Sequence, residues 1–158
     1  MKYILVVLIL FSTLAFGGAV SLEFEELSSE DLGDLHRYAE QTVSMMRKNI
    51  GDDFGYNEDS IKKLSDVIDR EGPTYSDQAK NVLPTVWGAF LGEAIIRKYG
   101  GKWVKYENSY GVLIEERSLW FPLEKVMKHI ENGKEDSIYA LYLVAGNDIR
   151  PDAAKQKP

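Results

Sequence analysis

The chain has 158 residues, 28% of them charged, a formal net charge of −6 and no cysteine. This length is enough for one domain with a hydrophobic core, and the lack of cysteine excludes disulfides and thiol catalysis. The charge is unevenly spread: segment 20–96 has sixteen acidic and seven basic residues, whereas segment 97–158 has nine acidic and eleven basic residues. This balance argues against nucleic-acid binding, and the acidic half either faces a basic partner or only favours solubility.

Residues 1–19 have the pattern of a secretory signal peptide. Lys2 provides a positive start, residues 3–16 are almost wholly apolar, and small residues surround a cleavage site after Ala19. The alternative is an uncleaved membrane anchor, but about fourteen apolar residues are too few to cross roughly 30 Å of hydrocarbon as a helix. The sequence therefore predicts export to the bacterial periplasm or exterior, and a mature domain without a stable membrane span.

Two amphipathic helices are predicted next. The first begins at Ser28, a helix-capping residue, and carries apolar residues at helical spacing as far as Gly51. The second begins at Asn57 and ends at Gly72, which is followed by proline and is expected to adopt the left-handed conformation of a helix cap. Between them lies an acidic loop whose spacing does not match an EF-hand, so we predict no calcium site there.

The centre of the protein is predicted to be a helix over residues 84–99. Its apolar residues surround nearly every side, which indicates a buried helix. Gly88 and Gly92 remove side chains from one face at a cost of about 1 kcal/mol each relative to alanine, and this predicts close approach of another helix or a strand. A further short helical turn is expected over residues 75–81, and Pro84 either kinks this helix or begins a new one.

The remaining segment predicts a small antiparallel sheet, two helices and a tail. Two strands are expected at residues 102–106 and 112–116, joined by a five-residue turn at 107–111, and a third short strand at 119–121. This pairing places Lys102 near Glu116. The two helices are expected at residues 122–133 and 136–145, and residues 147–158 are predicted to be a disordered polar tail. Residues 20–146 therefore predict one α+β domain with a helical first half, a central buried helix, a sheet of two or three strands and two final helices.

Glu93 is an unusual residue, because it is a charge on a helix that is otherwise apolar until Arg97. Three interpretations are open. The two residues form a narrow solvated stripe, or Glu93 is buried and satisfied by Arg97 or by backbone N–H groups of the following hairpin. In the third, Glu93 is a buried unpaired carboxylate that acts as a general acid or base. The third needs a neighbouring partner and a cleft, and the sequence nominates neither.

Aromatic residues cluster from the central helix through the hairpin. Core packing is the simpler explanation. The alternative is a partly exposed patch that binds a protein or a glycan, with Trp103, Trp120 and Tyr110 as candidate binding residues. Tyr110 is the strongest of the three, because it is predicted to lie at the tip of the hairpin.

No metal or cofactor site is predicted. His36 is expected at the edge of the buried stripe of the first helix and His129 on the polar face of its helix, and no histidine spacing matches a zinc site. A serine-nucleophile motif is missing as well, and no glycine-rich phosphate loop follows a strand.

Three short motifs together resemble a bacterial family of domains of unknown function. They are GAFLGE at 88–93, GGKW at 100–103, and Phe121-Pro122 followed by Lys125-Val126. The resemblance covers residues 74–143. It implies the α+β arrangement described above and implies that a set of residues acts as one structural unit: Gly88, Gly92, Glu93, Gly101 and Trp103. It implies no activity, substrate or cofactor.

The sequence thus predicts an exported, non-enzymatic domain that binds another protein, for example as a periplasmic inhibitor or immunity-type protein. The alternative is a small envelope hydrolase that uses Glu93 as general acid or base.

Overall fold

The computed structural model of the protein describes residues 24–146, and the predicted leader (1–19) and tail (147–158) lie outside them. The helices are α1 (Ser29–Asn49), α2 (Glu58–Glu71), α3 (Asp77–Tyr99), α4 (Pro122–Asn132) and α5 (Ile138–Val144). The strands are β1 (Glu25–Glu26), β2 (Lys102–Tyr106), β3 (Ser109–Ile114) and β4 (Ser118–Trp120). The α+β class is confirmed.

The predicted starts of the first two helices are confirmed by side-chain caps. Ser28 Oγ accepts a hydrogen bond from Asp31 N at 3.1 Å, and the side chain of Asn57 accepts one from Ser60 N at 2.9 Å. The predicted left-handed cap at Gly72 is wrong, because this residue has φ −48° and ψ −44°. The chain continues instead into a 3₁₀ turn over Gly72–Thr74, which Tyr75 N closes by donating to the Gly72 carbonyl.

Of the two possibilities for Pro84, the structure agrees with the first: α3 is one helix with this proline inside it, and its first turns are the helical turn predicted at residues 75–81. Ser76 caps the helix by accepting a hydrogen bond from Ala79 N at 3.2 Å. A proline inside a helix removes one hydrogen bond, but every residue from Trp87 to Ile95 is buried. Burial of this apolar segment offsets the loss and confirms the predicted central helix.

The two glycines of α3 admit two different neighbours, as the sequence predicts. A Cβ on Gly88 would lie 2.5 Å from the Cα of Leu123, so the backbone of α4 occupies that space. A Cβ on Gly92 would overlap Cζ2 and Cη2 of Trp103, so the indole of β2 lies directly on the helix. One glycine therefore admits a helix and the other a strand.

The four strands form an antiparallel sheet in the order β1-β2-β3-β4. The predicted five-residue hairpin turn is wrong, because Tyr106 pairs with Ser109 and the turn is Glu107-Asn108. Gly111 belongs to β3, where a Cβ would meet Leu119 Cδ1 at 2.7 Å. The predicted proximity of Lys102 and Glu116 is confirmed at 3.5 Å. Strand β1 has no counterpart in the sequence prediction.

The core is centred on α3, which packs against α1 and against α4. Helices α3 and α4 also contact β3, and α2 and α5 pack against each other and against α4. The loop between α1 and α2 contributes the fully buried Phe54, whose ring stacks on Phe90 at 5.2 Å. Within residues 24–146, the helices are too short or too polar to cross a membrane.

Candidate functional site

The candidate site is built around Glu93, which is only 7% exposed. The indole of Trp103 reaches it because Gly92 leaves room for the ring against α3. Trp103 Nε1 donates a hydrogen bond to Glu93 Oε1 at 2.9 Å. A hydrogen bond from a neutral donor to a buried carboxylate is stronger than one between neutral groups, so this contact ties the hairpin firmly to α3.

A second partner of Glu93 comes from α1. His36 Nε2 lies 3.1 Å from the same oxygen, Oε1, close enough for an ion pair when the imidazole is protonated. The His36 side chain is half exposed, whereas Glu93 is buried. Because both partners meet Oε1, neither of them occupies the second carboxylate oxygen, Oε2.

Two clefts meet at the His36–Glu93 pair, and both residues line each of them. The first, the hairpin cleft, has a volume of about 310 Å³. The second, the tyrosine cleft, has a volume of about 430 Å³. Beyond the pair, the hairpin cleft is lined mainly by these side chains: Glu26, Leu27, Leu32, Ile96, Lys102 and Trp103. The neighbouring partner and the cleft that Glu93 needs for chemistry are therefore both present.

Arg97 belongs to the tyrosine cleft and does not pair with Glu93. Its guanidinium carbon lies 3.6 Å from the centroid of the Tyr56 ring, and its Nη2 lies 3.7 Å from Glu40 Oε1. Tyr56 donates a hydrogen bond to the same Glu40 oxygen at 2.8 Å. Burial, and next the bond to Glu40, raise the pKa of Tyr56. The predicted Glu93–Arg97 contact is wrong, because Tyr56 and Glu40 hold the guanidinium.

The interpretation of Glu93 as buried and satisfied is the one that agrees with the structure, but its partners differ from those predicted. They are the side chain of Trp103 and the imidazole of His36. His36 was missed because a histidine at the edge of an apolar stripe carries no sign of which helix it will face. The signal that could have nominated Trp103 is the glycine immediately before a buried glutamate.

The structure places the three candidate binding aromatics in different surroundings. Trp103 is buried, in agreement with core packing, and Trp120 is half-buried. Tyr110 does not lie at the hairpin tip, so that prediction is wrong: it pairs with Lys105 within the sheet. Its hydroxyl donates to Asp31 Oδ1 at 2.9 Å. This hydrogen bond connects β3 to the start of α1. Hydrogen bonds from Ser28, and next from Tyr110, lower the pKa of Asp31.

Four of the five residues of the predicted structural unit hold β2 against α3 and β3, whereas the fifth, Gly88, contacts α4. Gly92, Glu93 and Trp103 meet as described, and Gly88 admits α4. Gly101 has a φ of +105°, and a Cβ there would overlap the Leu113 carbonyl oxygen. Glycine is therefore required at the start of β2, where it lets the strand approach β3 and carry Trp103 onto α3.

His129 is fully buried, so its predicted position on a polar face is wrong. Helices α2 and α5 pack on that face of α4. His129 Nδ1 accepts a hydrogen bond from Ile138 N at 3.3 Å, and Nε2 lies 2.9 Å from Asp69 Oδ1. A backbone N–H can only donate, so Nδ1 is unprotonated and the proton is on Nε2. This residue fixes the start of α5 and does not line the Glu93 clefts.

No group of His, Asp or Glu side chains suited to a metal ion occurs between residues 24 and 146. The acidic loop before α2 is paired instead, since Lys63 contacts Asp53 at 2.8 Å and Asp59 at 2.9 Å.

Comparison of the chain with protein-family models, curated proteins and solved structures finds no match. The resemblance to a bacterial family of domains of unknown function therefore stays a prediction. Function has to be argued from the geometry of the Glu93 site.

Proposed function

We propose that the protein is an exported, non-enzymatic domain that binds another protein, and that Glu93 receives a basic side chain of that partner in the hairpin cleft. The observation that carries the proposal is the geometry of Glu93: its Oε1 is held by Trp103 and His36, while Oε2 is occupied by neither. A carboxylate fixed in this way, at the edge of a cleft, suits an ammonium or guanidinium group.

The walls of the hairpin cleft suit the rest of such a side chain. Leu27, Leu32 and Ile96 line it, and they can cover the aliphatic stem of a lysine or arginine. Lys102, a basic residue of the cleft lining, lies 3.7 Å from Glu26 and 3.5 Å from Glu116. These two carboxylates balance Lys102. Glu93 keeps Trp103 and the half-exposed His36 as partners at Oε1, and its carboxylate attracts a basic group of the other protein through Oε2.

The kind of partner follows from the sequence. The acidic segment 20–96 contains Glu93, His36 and Glu26, and an acidic surface accelerates association with a basic protein. The predicted leader supports a location in the periplasm or outside the cell. A periplasmic inhibitor or immunity-type protein is a role in which one small domain acts by binding alone.

The binding test uses a minimal lysine. The indole N–H signal of Trp103 in an NMR titration reports on the cleft, with Nα-acetyl-lysine methylamide as ligand and the norleucine analogue as its uncharged match. We expect the lysine compound to shift this signal and Glu93→Gln to weaken binding about tenfold, because the negative charge that attracts the ammonium is lost.

Glu131→Gln, which alters an exposed glutamate on α4, is the matched control and should bind the lysine compound as the wild type does. Equal binding of the norleucine compound, or unchanged binding by Glu93→Gln, would contradict the proposal. Thermal unfolding of Glu93→Gln verifies that its fold is retained, since glutamine can still accept the bond from Trp103.

Export is tested separately by cell fractionation with intact-mass measurement. We expect a periplasmic or extracellular protein whose chain begins at Val20, because signal peptidase should cut after Ala19. A full-length precursor in the membrane fraction would show instead that residues 1–19 act as an anchor.

A second candidate function, a small envelope hydrolase, is favoured by one observation. His36 lies 3.1 Å from Glu93 beside a cleft, so a water in that cleft could lose its proton to the carboxylate. Between residues 24 and 146, neither cleft is lined by a serine or threonine that could act as a nucleophile, so Glu93 would have to activate water. Hydrolysis by the wild type that Glu93→Gln abolishes, with thermal stability unchanged, would establish this function over binding alone.

A further inference from the structure

A third cleft lies away from Glu93, where α1 and α2 face the first half of α3. It has a volume of about 460 Å³, larger than either cleft at Glu93. We call it the Trp87 cleft. Its lining is mainly apolar, with Met45, Met46, Val67, Leu83 and the rings of Tyr75 and Trp87. Its volume falls within the range of about 300–1,000 Å³ typical of small-molecule sites.

Two hydrogen-bond donors in this lining are unsatisfied. The indole N–H of Trp87 and the hydroxyl of Tyr75 are both buried, and within the described part of the chain neither has a hydrogen-bond partner. We call them the orphan donors. Trp87 is only 4% exposed, so bulk water has little access to its N–H group. Buried donors without partners are rare in folded proteins, and each calls for an explanation.

The two residues that carry the orphan donors line the cleft, and their N–H and O–H groups are covered from solvent. The rings of Tyr75 and Trp87 meet edge to face, with centroids 6.0 Å apart and planes at 65°. Burial raises the pKa of Tyr75 to about 12, so its hydroxyl keeps its proton at neutral pH and can donate. Both groups can therefore donate a hydrogen bond to an oxygen that comes within reach.

The rim of the cleft offers no unpaired charge to a charged ligand. Its two charged residues, Arg70 and Glu71, pair with each other at 2.8 Å, so each already has its counterion. Met45 and Met46 are flexible side chains that can shift to admit a ligand to the buried donors. Met45 is also one of the few large apolar side chains that are exposed among residues 24–146.

We propose that the Trp87 cleft binds a neutral, mainly apolar small molecule that carries a carbonyl oxygen, and that the orphan donors hydrogen-bond to that oxygen. The site is independent of Glu93, so it stands or falls separately from the proposed function. The ligand's apolar body would contact the methionine and leucine side chains, and its oxygen would supply the hydrogen bonds that the folded chain does not provide.

The test compares acetophenone, an aromatic ketone, with ethylbenzene, which has a similar shape but no oxygen. NMR of the full chain follows the indole N–H signals of the three tryptophans, each assigned by its Trp→Phe variant. We expect acetophenone to move the Trp87 signal downfield and saturably, because its N–H gains an acceptor. The Trp103 signal should not move, since Glu93 already holds that N–H group.

Tyr75→Phe removes one orphan donor and keeps the ring. It should weaken acetophenone binding about fivefold, the value of one neutral hydrogen bond, and should leave ethylbenzene binding unchanged. Trp120→Phe is the matched control: its indole N–H is also buried without a partner among residues 24–146, but it does not line this cleft. The control should bind acetophenone as the wild type does.

Three results would overturn the proposal. They are no saturable shift of the Trp87 signal up to the solubility of acetophenone, a shift confined to the Trp120 signal, and equal acetophenone affinity in Tyr75→Phe and the wild type. If Tyr75→Phe did not fold, a downfield shift of the wild-type Trp87 signal with acetophenone, and no downfield shift with ethylbenzene, would still decide the question.

Discussion

A tryptophan and a tyrosine lie on each of two sides of α3, and the two sides differ in whether these residues have hydrogen-bond acceptors. On the Glu93 side, Trp103 donates to Glu93 at 2.9 Å and Tyr56 donates to Glu40 at 2.8 Å. On the other side, the orphan donors of Trp87 and Tyr75 are buried and, within residues 24–146, meet no acceptor. Each side thus has one buried tryptophan and one half-buried tyrosine, and within residues 24–146 only the Glu93 side provides acceptors for both.

The difference lies in the hydrogen-bond donors: those of the Glu93 side, which we call the completed side, already have acceptors, whereas those of the Trp87 side have none among residues 24–146. A buried hydrogen bond to a charged group stabilises a protein by about 1.5–3 kcal/mol, whereas a buried donor without a partner costs about 1–3 kcal/mol. The Glu93 side therefore joins the hairpin to α3 without any ligand. The Trp87 side retains a cost that an added acceptor would remove.

The largest expected effect comes from Gly92→Ala, which breaks the completed side. The new Cβ would overlap the Trp103 indole, so the ring must move and its bond to Glu93 is lost. We expect the free energy of unfolding to fall by about 2–3 kcal/mol, even though alanine favours the helix. Urea unfolding measures the change.

Gly33→Ala is the matched control for this substitution. Gly33 is an exposed residue inside α1, and no atom lies within 4 Å of the position of its Cβ. Alanine there should raise the free energy of unfolding by about 0.5–1 kcal/mol. If Gly92→Ala behaved like Gly33→Ala, the indole would not be packed against α3 and the comparison would fail.

The local features of this fold could be predicted from the sequence because they depend on neighbouring residues. The caps at Ser28 and Asn57 follow from short polar side chains before apolar stripes. The buried segment of α3 follows from apolar residues on every side, and the close approaches at Gly88 and Gly92 follow from the cost of glycine in a helix.

The partners of Glu93 could not be predicted, because they come from other elements. Arg97 stands at the favourable spacing of four residues on the same helix, and that local rule suggested the pair. In the structure Tyr56 and Glu40 hold Arg97, while His36 arrives from α1. Such competition between distant residues leaves no trace in the spacing of residues along one helix.

The hairpin shows a second way in which local signals mislead. Gly111 suggested a long turn, but it serves a close approach to β4 within the sheet. The two-residue turn instead places Glu107 at a φ of 53°, a conformation that few side chains favour. Tyr110 consequently lies in the sheet and not at its tip.

Trp103→Phe directly tests how much the hydrogen bond from Trp103 to Glu93 contributes to stability. The variant keeps a buried ring but removes the donor to Glu93, so we expect a loss of about 2 kcal/mol in unfolding free energy. In a Glu93→Leu background the same substitution should cost at least 1 kcal/mol less, because no carboxylate is left without its partner. Urea unfolding of the four proteins gives this coupling, and a coupling near zero would contradict the role of the hydrogen bond.

The two tyrosines give the closest test of the comparison, since the same hydroxyl is removed from each side. Tyr56→Phe takes a donor from Glu40 and should lower the free energy of unfolding by about 1 kcal/mol. Tyr75→Phe takes away an orphan donor, so its effect should be neutral or stabilising by up to about 1 kcal/mol. Urea unfolding at neutral pH compares them, and equal losses in both variants would show that Tyr75 has a partner after all.

The smallest expected effect is a change, at alkaline pH, in the difference in unfolding free energy between Tyr75→Phe and the wild type. Burial raises the pKa of Tyr75 to about 12, above the value of about 10 for an unfolded tyrosine. Because the folded state then holds the proton more tightly, the stability linked to Tyr75 is complete below about pH 10 and is lost as the pH rises through about 12. In urea unfolding, the stability of Tyr75→Phe relative to the wild type should therefore rise between about pH 9 and pH 11. A constant difference between the two proteins over this range would mean that the Tyr75 hydroxyl is solvated in the folded state.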